Sequence, residues 1–304
     1  MYYEEQGVLL VGIDHGFQTM KTNHFIYENG VTALGGEATL TTNTMLVEGS
    51  YFKVGEGRLP MKDTKTEDND YFLLTLAGIA KEMEYYDLYA TDVILAAGLP
   101  FTRFGQEKEA FTKYLKRNRR IDFNYCGRNY EARIVDVYLY PQCYAAVADR
   151  LTNMSPEQLI VDIGSKTIDI IHTSKYVPVE KDCVTIPEAL IQCMAAIKNV
   201  VYRKTNHKLS EQQIQQVMMT GTGDFPEKLV VIVQEELRLF AKGIEAKLKE
   251  LGFDPELTPI VYLGGGASVM RIFGSMKGPN ICYLEDVRAN AIGYEYIASR
   301  KLFK

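Results

Sequence analysis

The sequence predicts an α/β protein of two domains, and three observations carry that expectation. Short apolar runs alternate with longer stretches of helical spacing, the pattern of buried strands feeding amphipathic helices. The chain has 304 residues, about twice the ~150 residues of a typical domain. The two halves also open alike, each with an apolar run that ends in an acidic residue and a glycine turn.

Val8-Leu9-Leu10-Val11-Gly12-Ile13 reads as a buried strand that feeds the turn Asp14-His15-Gly16. Residues 25–53 alternate loosely and are rich in Thr and Gly, which suits a meander of strands. Residues 62–70 are polar and charged, a loop. Helical spacing over 70–89 places Leu73, Leu76, Ala77, Ile79, Ala80 and Met83 on one side. Val93-Ile94-Leu95-Ala96-Ala97 is a second buried strand, stopped by Gly98-Leu99-Pro100. An amphipathic helix over 106–120 precedes strands over 121–125 and 130–138, with a hairpin turn at Cys126-Gly127-Arg128-Asn129. Pro141 suits the first turn of a helix running through Ala145, Ala146 and Ala148 toward Leu151. Ser155-Pro156 marks a boundary.

The second half repeats the opening. Leu159-Ile160-Val161 enters Asp162-Ile163-Gly164-Ser165-Lys166-Thr167, and Ile168-Asp169-Ile170-Ile171 follows as the returning strand. Helices are expected over 188–202, 210–218 and 227–251, and Ser210-Glu211-Gln212-Gln213 has the form of a capping box. Ile260-Val261-Tyr262-Leu263 is a further buried strand, Gly264-Gly265-Gly266 opens a helix, and 286–300 is amphipathic and helical.

Composition excludes several classes. Hydrophobic residues at 46% and charged residues at 24% fit neither a disordered chain nor a fibrous repeat. A net charge of −5 argues against a broad DNA-binding surface. The basic cluster Lys113, Lys116, Arg117, Arg119 and Arg120 is preceded by acidic Glu107 and Glu109, and no aromatic stacking pattern follows it. It reads as a solvated helix face or a filament contact, so no direct DNA binding is expected. Five cysteines form no CxxC pair and are odd in number, against a zinc site or a secreted disulfide framework and for a reducing cytoplasm. No run approaches ~18 apolar residues. The acidic opening Met1-Tyr2-Tyr3-Glu4-Glu5-Gln6 lacks a signal peptide's basic region, so a cytoplasmic protein with no membrane partner is expected.

Familiar catalytic motifs are absent from the sequence. It holds no G-x-x-x-x-G-K-[ST], no G-x-G-x-x-G after the first strand and no G-x-S-x-G. The four histidines lack metal-ligand spacing. What remains is Asp14-x-Gly16, Asp162-x-Gly164 and the triple glycine. A lone D-x-G is usually only a turn, and a lone triple glycine only a loop. Together, in this order, they point to a nucleotide. Each aspartate ends a buried strand, where it can hold Mg²⁺ through water. Each glycine frees the backbone to present amides to phosphate oxygens. Thr19, Lys21, Ser165, Lys166 and Thr167 supply hydroxyl and ammonium donors. Gly264-Gly265-Gly266 leaves a wall without side chains for a nucleoside.

These segments resemble the motifs of the actin, Hsp70 and sugar-kinase superfamily. Gly12-Ile13-Asp14-His15-Gly16-Phe17-Gln18-Thr19-Met20-Lys21 resembles phosphate-1. Val161-Asp162-Ile163-Gly164-Ser165-Lys166-Thr167-Ile168-Asp169-Ile170 resembles phosphate-2, and Val261-Tyr262-Leu263-Gly264-Gly265-Gly266-Ala267 the adenosine motif. Pro141-Gln142 with its following helix is similar to connect-1, and Ala289-Asn290-Ala291-Ile292-Gly293 to connect-2. Val54-Gly55-Glu56-Gly57, Ala97-Gly98-Leu99-Pro100, the Phe123-Asn124-Tyr125 hairpin and Tyr140-Pro141-Gln142 are most similar to the ParM-like plasmid-segregation actins and archaeal actin-like proteins. One departure is Gln18, which stands where that branch carries a glycine and implies a stiffer loop.

The resemblance implies an actin-like fold of two domains, each a mixed sheet flanked by helices, with a nucleotide cleft between them. Residues 1–155 with 286–304 would form one domain and 156–285 the other. It implies Mg-ATP, with GTP left open, held by Gly16, Gln18, Thr19, Lys21, Gly164, Ser165, Lys166, Thr167, Gly264, Gly265, Gly266 and Ala267. Asp14 and Asp162 would organise Mg²⁺ and its waters, and Gln142 would orient the attacking water. Helix 188–204 is where ribose and base contacts are expected. The implied function is a polymerising ATPase that segregates plasmid DNA, its slow hydrolysis timing the filament. Its partners would be other copies of itself and an adaptor protein on centromere-like plasmid DNA. The alternatives are a small-molecule kinase and a non-polymerising ATP-binding module on the same fold.

Overall fold

A computed structural model describes residues 1–116, 120–254 and 256–303. The chain divides into two units, Met1–Asp149 with Arg288–Lys304, and Arg150–Val287.

Among its described residues the first unit has ten strands and two helices before its C-terminal return. The strands are β1 (Tyr2–Tyr3), β2 (Val8–His15), β3 (Thr19–Thr22), β4 (Ile26–Glu28), β5 (Val31–Leu34), β6 (Thr44–Val47), β7 (Ser50–Val54), β8 (Ala90–Leu99), β9 (Arg120–Tyr125) and β10 (Arg128–Pro141). The helices are α1 (Asp70–Tyr85) and α2 (Phe104–Leu115). One mixed sheet runs β4-β3-β2-β8-β10-β9-β6-β7-β5, with β1 on β2. Its centre, β2, β8 and β10, is parallel. Central parallel strands are covered on both faces, which is why β2 reads as an unbroken apolar run. Helix α1 is buried on more sides than its expected stripe, taking in Tyr71, Phe72, Leu74, Thr75 and Gly78 as well. Gly78 is required there: a Cβ would lie 2.5 Å from the Tyr27 hydroxyl, which donates to the Leu74 carbonyl at 2.8 Å.

The expected hairpin is present. Tyr125 pairs with Arg128, leaving the two-residue turn Cys126-Gly127. Both residues have positive φ, 53° and 81°, as a type I′ turn requires. Helix α1 ends at Tyr85 rather than 89, because Asp87 takes φ 55° and β8 starts at Ala90. Helix α2 ends at Leu115 rather than 120, because Arg120 already belongs to β9. Of the basic cluster, Arg117 and Arg119 lie outside the described residues, and Lys116 is paired with Asp136 at 2.8 Å.

The helix expected after Pro141 is corrected. Pro141 is the last residue of β10, paired with Leu99. Cys143 then takes φ 67°, which an α-helix cannot continue through. Only the short 3-10 turns Ala145–Val147 and Leu151–Asn153 follow.

The second unit holds β11 (Gln158–Ile163), β12 (Ile168–Ser174), β13 (Val177–Pro178), β14 (Val184–Ile186), β15 (Ile260–Leu263) and β16 (Ile281–Leu284). Its mixed sheet runs β13-β12-β11-β15-β16, with β14 on β12. Its helices are α3 (Leu190–Thr205), α4 (Glu211–Thr220), α5 (Glu227–Glu250) and α6 (Ala267–Phe273). Leu229, Val233, Leu237, Ala241, Ile244 and Leu248 form the buried stripe of α5. Each such leucine contributes about 1.5–3 kcal/mol on burial. The capping box forms as the sequence predicts: Ser210 Oγ accepts from the Gln213 amide at 3.2 Å, and Gln213 Oε1 accepts from the Ser210 amide at 2.9 Å. The chain then returns to the first unit as α7 (Ala289–Leu302).

Candidate functional site

In the first unit, β2 carries Asp14 to the end of the central sheet, where it is 5% exposed. A carboxylate buried this deeply requires partners. Its Oδ2 accepts from Lys21 Nζ at 3.1 Å and its Oδ1 from Gln142 Nε2 at 3.1 Å. The β2–β3 register sets Lys21 directly opposite Asp14. Gly16 makes the approach possible, since a Cβ there would lie 2.5 Å from both Lys21 Nζ and the Thr19 carbonyl oxygen. Gln18 and Thr19 are half-buried on the connection from Gly16 into β3. The bend at Gln18 does not use positive φ, so a glutamine is accommodated where a glycine is expected.

Gln142 follows the end of β10, with its amide donating to the Leu99 carbonyl at 2.9 Å. Because its side-chain NH₂ is committed to Asp14, its Oε1 is the atom left to accept a hydrogen from a third group. Helix α7 braces both ends of this arrangement. Glu295 Oε2 accepts from the Gly12 amide at 3.0 Å, and Asn290 Oδ1 accepts from the Cys143 amide at 2.9 Å. The contacts are backbone-close. A Cβ on Gly12 would lie 2.1 Å from the Ala291 carbonyl oxygen, and one on Gly293 1.9 Å from that of Ala145.

Two further groups beside Asp14 escape sequence reasoning. His15 is fully buried. Its Nε2 lies 2.9 Å from Thr75 Oγ1, whose own proton goes to the Tyr71 carbonyl at 2.7 Å. The imidazole is therefore the donor in that pair, and its Nδ1 is a buried acceptor with no partner among the described residues. Burial, reinforced by the Lys65 charge, holds the ring well below its ordinary pKa, hence neutral. Lys65 lies half-buried on the loop that the sequence shows only as polar, with its Nζ 5.6 Å from the centre of the Phe111 ring. Burial lowers its pKa to about 8, against the opposing pull of Asp14 and Glu107.

In the second unit, β11 and β12 form a hairpin around Gly164-Ser165-Lys166-Thr167. The Gly164 amide donates to the Thr167 carbonyl at 2.9 Å, and all four residues are half-buried. Helix α3 starts on this turn, its Ile191 amide donating to the Ser165 carbonyl at 3.0 Å. The triple glycine lies directly against the Asp162 strand. Gly264 takes φ 78°, and a Cβ there would sit 2.3 Å from Asp162 Oδ1. A Cβ on Gly266 would sit 2.2 Å from Ile163 Cγ2. The Gly266 amide donates to the Ile163 carbonyl at 3.0 Å, and Ala267 begins α6 with its amide on the Gly264 carbonyl at 3.1 Å. Asp162, the hairpin turn and the glycines thus form one continuous patch. Asp169 supports it from below, its two oxygens accepting the hydroxyls of Thr167 at 3.2 Å and Thr185 at 2.6 Å.

The chemistry of the donors fits Mg²⁺ with phosphate. Mg²⁺ is usually held by one or two carboxylates and otherwise by water and phosphate oxygens. Asp14 and Asp162, each at a strand end of its own unit, are carboxylates of that kind. Among the described residues no group of three or more His, Cys, Asp or Glu side chains forms a metal cage. No helix of the described residues is long and apolar enough to cross a membrane.

Residues 27–144 match the family model of the actin-like proteins' N-terminal domain. No curated protein sequence matches the chain. Solved structures do. The archaeal actin homologue Ta0583 superposes with a TM-score of 0.78 at 17% identity, over 97% of this chain and 100% of that one. Its complex with ADP gives 0.74 at 17% identity, over 96% and 99%. Bacillus thuringiensis ParM with ATP gives 0.73 at 12% identity, over 98% and 100%. The Alp12 filament structure gives 0.72 at 14% identity, over 97% and 99%. The chain has the actin-like fold, two mixed sheets flanked by helices, and its residues 27–144 are similar in sequence to the N-terminal domain of actin-like proteins.

Proposed function

We propose that the chain is an ATP-dependent, polymerising actin-like protein whose slow hydrolysis times a filament used to segregate plasmid DNA. The observation that carries the nucleotide reading is Asp14, buried at a strand end between Lys21 and Gln142. Phosphoryl transfer to water needs this kind of charge placement and little covalent chemistry from the protein. Lys21 neutralises phosphate charge, and Thr167 with the Ser165 and Lys166 amides receives phosphate oxygens, the Gly164 amide being spent on the Thr167 carbonyl. Asp14 and Asp162 are the residues that would hold Mg²⁺, which would supply further charge neutralisation.

Gln142 orients the attacking water through Oε1, since its NH₂ group is anchored on Asp14. A glutamine cannot act as a strong base, so turnover is slow. The filament reading takes support from the Alp12 filament structure, and the nucleotide from the relatives solved with ADP and ATP. The partners are further copies of this chain and an adaptor protein on plasmid DNA, in the cytoplasm.

A kinase of the same fold needs a carboxylate beside its acceptor hydroxyl. Asp169 is the carboxylate just beyond the Asp162 turn, and both its oxygens are engaged by threonine hydroxyls. That favours water as the acceptor. The test is Gln142→Ala. Phosphate release should fall at least tenfold while ATP affinity stays within about threefold. A tenfold loss of affinity would contradict the role.

A further inference from the structure

Lys65 is a cation in search of an anion. It makes no hydrogen bond or ion pair among the described residues, and its ammonium lies over the face of Phe111 at 5.6 Å from the ring centre. The same Phe111 ring meets His15 at a centroid distance of 5.2 Å, and His15 directly follows Asp14. Lys65 and the residue after Asp14 therefore pack against the same ring, and the Asp14 charge acts on Lys65.

Each acidic group that faces it is already engaged. Asp14 carries Lys21 and Gln142. Glu107, on α2, is paired with Arg103, which also donates to the Asp63 carbonyl at 2.9 Å. On the lysine's own loop, Asp68 and Asp70 both hold Lys62. Glu67 accepts the backbone amides of Asp63 and Thr64 at 2.7 and 2.8 Å. Lys21 and Arg103 add like charge, and His15 is neutral with an orphan acceptor. A part-desolvated ammonium with no counter-ion is costly, and an incoming anion offsets that cost.

We propose that Lys65 is a phosphate-binding residue of the Asp14 turn, taking the charge that a nucleoside triphosphate adds over a diphosphate. The inference rests on the nucleotide reading above. Lys21 is shared with Asp14, so it is the smaller part of the response to that added charge, and the unshared cation is the larger. Binding at Lys65 also ties the 62–69 loop, which leads into α1, to the state of the nucleotide.

The experiment is calorimetry of the full chain with Mg²⁺ and either a non-hydrolysable ATP analogue or ADP. Wild type, Lys65→Met and Lys65→Arg are compared. Lys65→Met should weaken the triphosphate about 10- to 100-fold, the range for loss of one charge-assisted contact, and ADP less than about threefold. Lys65→Arg should restore most of the difference. With a free pKa of about 8, the free protein loses this proton above that pH and the bound anion favours keeping it. Triphosphate affinity of the wild type should therefore fall as pH rises from 7.5 to 9.5, and Lys65→Arg should flatten the fall. Equal effects of Lys65→Met on both nucleotides, or none on either, would overturn the proposal. A wild type that binds neither nucleotide would overturn the nucleotide reading itself, and this inference with it.

Discussion

Gly264 is the position where backbone conformation and the Asp162 carboxylate compete for the same space. In Gly264→Ala the new Cβ would lie 2.3 Å from Asp162 Oδ1 and 2.8 Å from the Ile163 carbonyl oxygen, on a backbone with φ 78°. Left-handed backbone costs an L-residue about 1–2 kcal/mol. Forcing a methyl group into packed surroundings adds about 1–3 kcal/mol, for a total of about 2–5 kcal/mol. At about 2–4 °C per kcal/mol for a unit of this size, the transition should drop by roughly 4–20 °C. Two further glycines separate the causes. Gly252 has φ 86° with nothing within 4 Å of a Cβ, so Gly252→Ala should show the conformational cost alone, about 1–2 kcal/mol. Gly265 lacks positive φ, and a Cβ would meet only Leu190 Cδ1 at 3.3 Å. Gly265→Ala should therefore stay within about 0.5 kcal/mol of wild type. Thermal unfolding by circular dichroism reads the stability, and calorimetry with Mg-ATP reads the site. By displacing the Asp162 carboxylate, Gly264→Ala should also lose more than about tenfold in affinity, ~1.4 kcal/mol, which Gly252→Ala should not. If Gly264→Ala proved no worse than Gly252→Ala in both assays, the contact between the glycine loop and Asp162 would be refuted.

Asp162→Ala should abolish Mg²⁺-dependent phosphate release, and unchanged release would remove Asp162 from the site. Thiol labelling at neutral pH should reach exposed Cys126 and Cys282 and spare Cys193, whose thiol is pushed up to about 12 by burial. Mass spectrometry of labelled peptides reads the pattern, and rapid labelling of Cys193 in the native chain would contradict the packing of α3.

What the sequence makes legible is what depends on near neighbours. The apolar run of β2, the capping box at Ser210 and the Cys126-Gly127 hairpin each follow from residues adjacent in the chain. The D-x-G turns and the triple glycine are legible for the same reason, because each is a local solution to turning the backbone at a strand end, and the actin-like fold is what their resemblance to known motifs implies. The failures arise where distant segments decide. The alanines after Pro141 have good helix propensity, but the left-handed Cys143 is fixed by Asn290, far away in sequence. Gly12 lies inside the expected strand and Gly293 inside the expected helix, and only the fold shows that they are where α7 meets β2 and the Ala145 turn. Lys65 carries no sequence signal. A lysine in a polar loop is ordinary until the fold sets it beside Phe111, His15 and Asp14.

The most direct test of the central claim is right-angle light scattering recorded with phosphate release on one sample, with Mg²⁺ and either ATP or GTP. The expected result is a rise above a critical protein concentration that is triggered by nucleotide and decays as phosphate appears. Tight nucleotide binding with a flat scattering trace at every concentration would contradict the filament and redirect the search to a phosphate acceptor other than water.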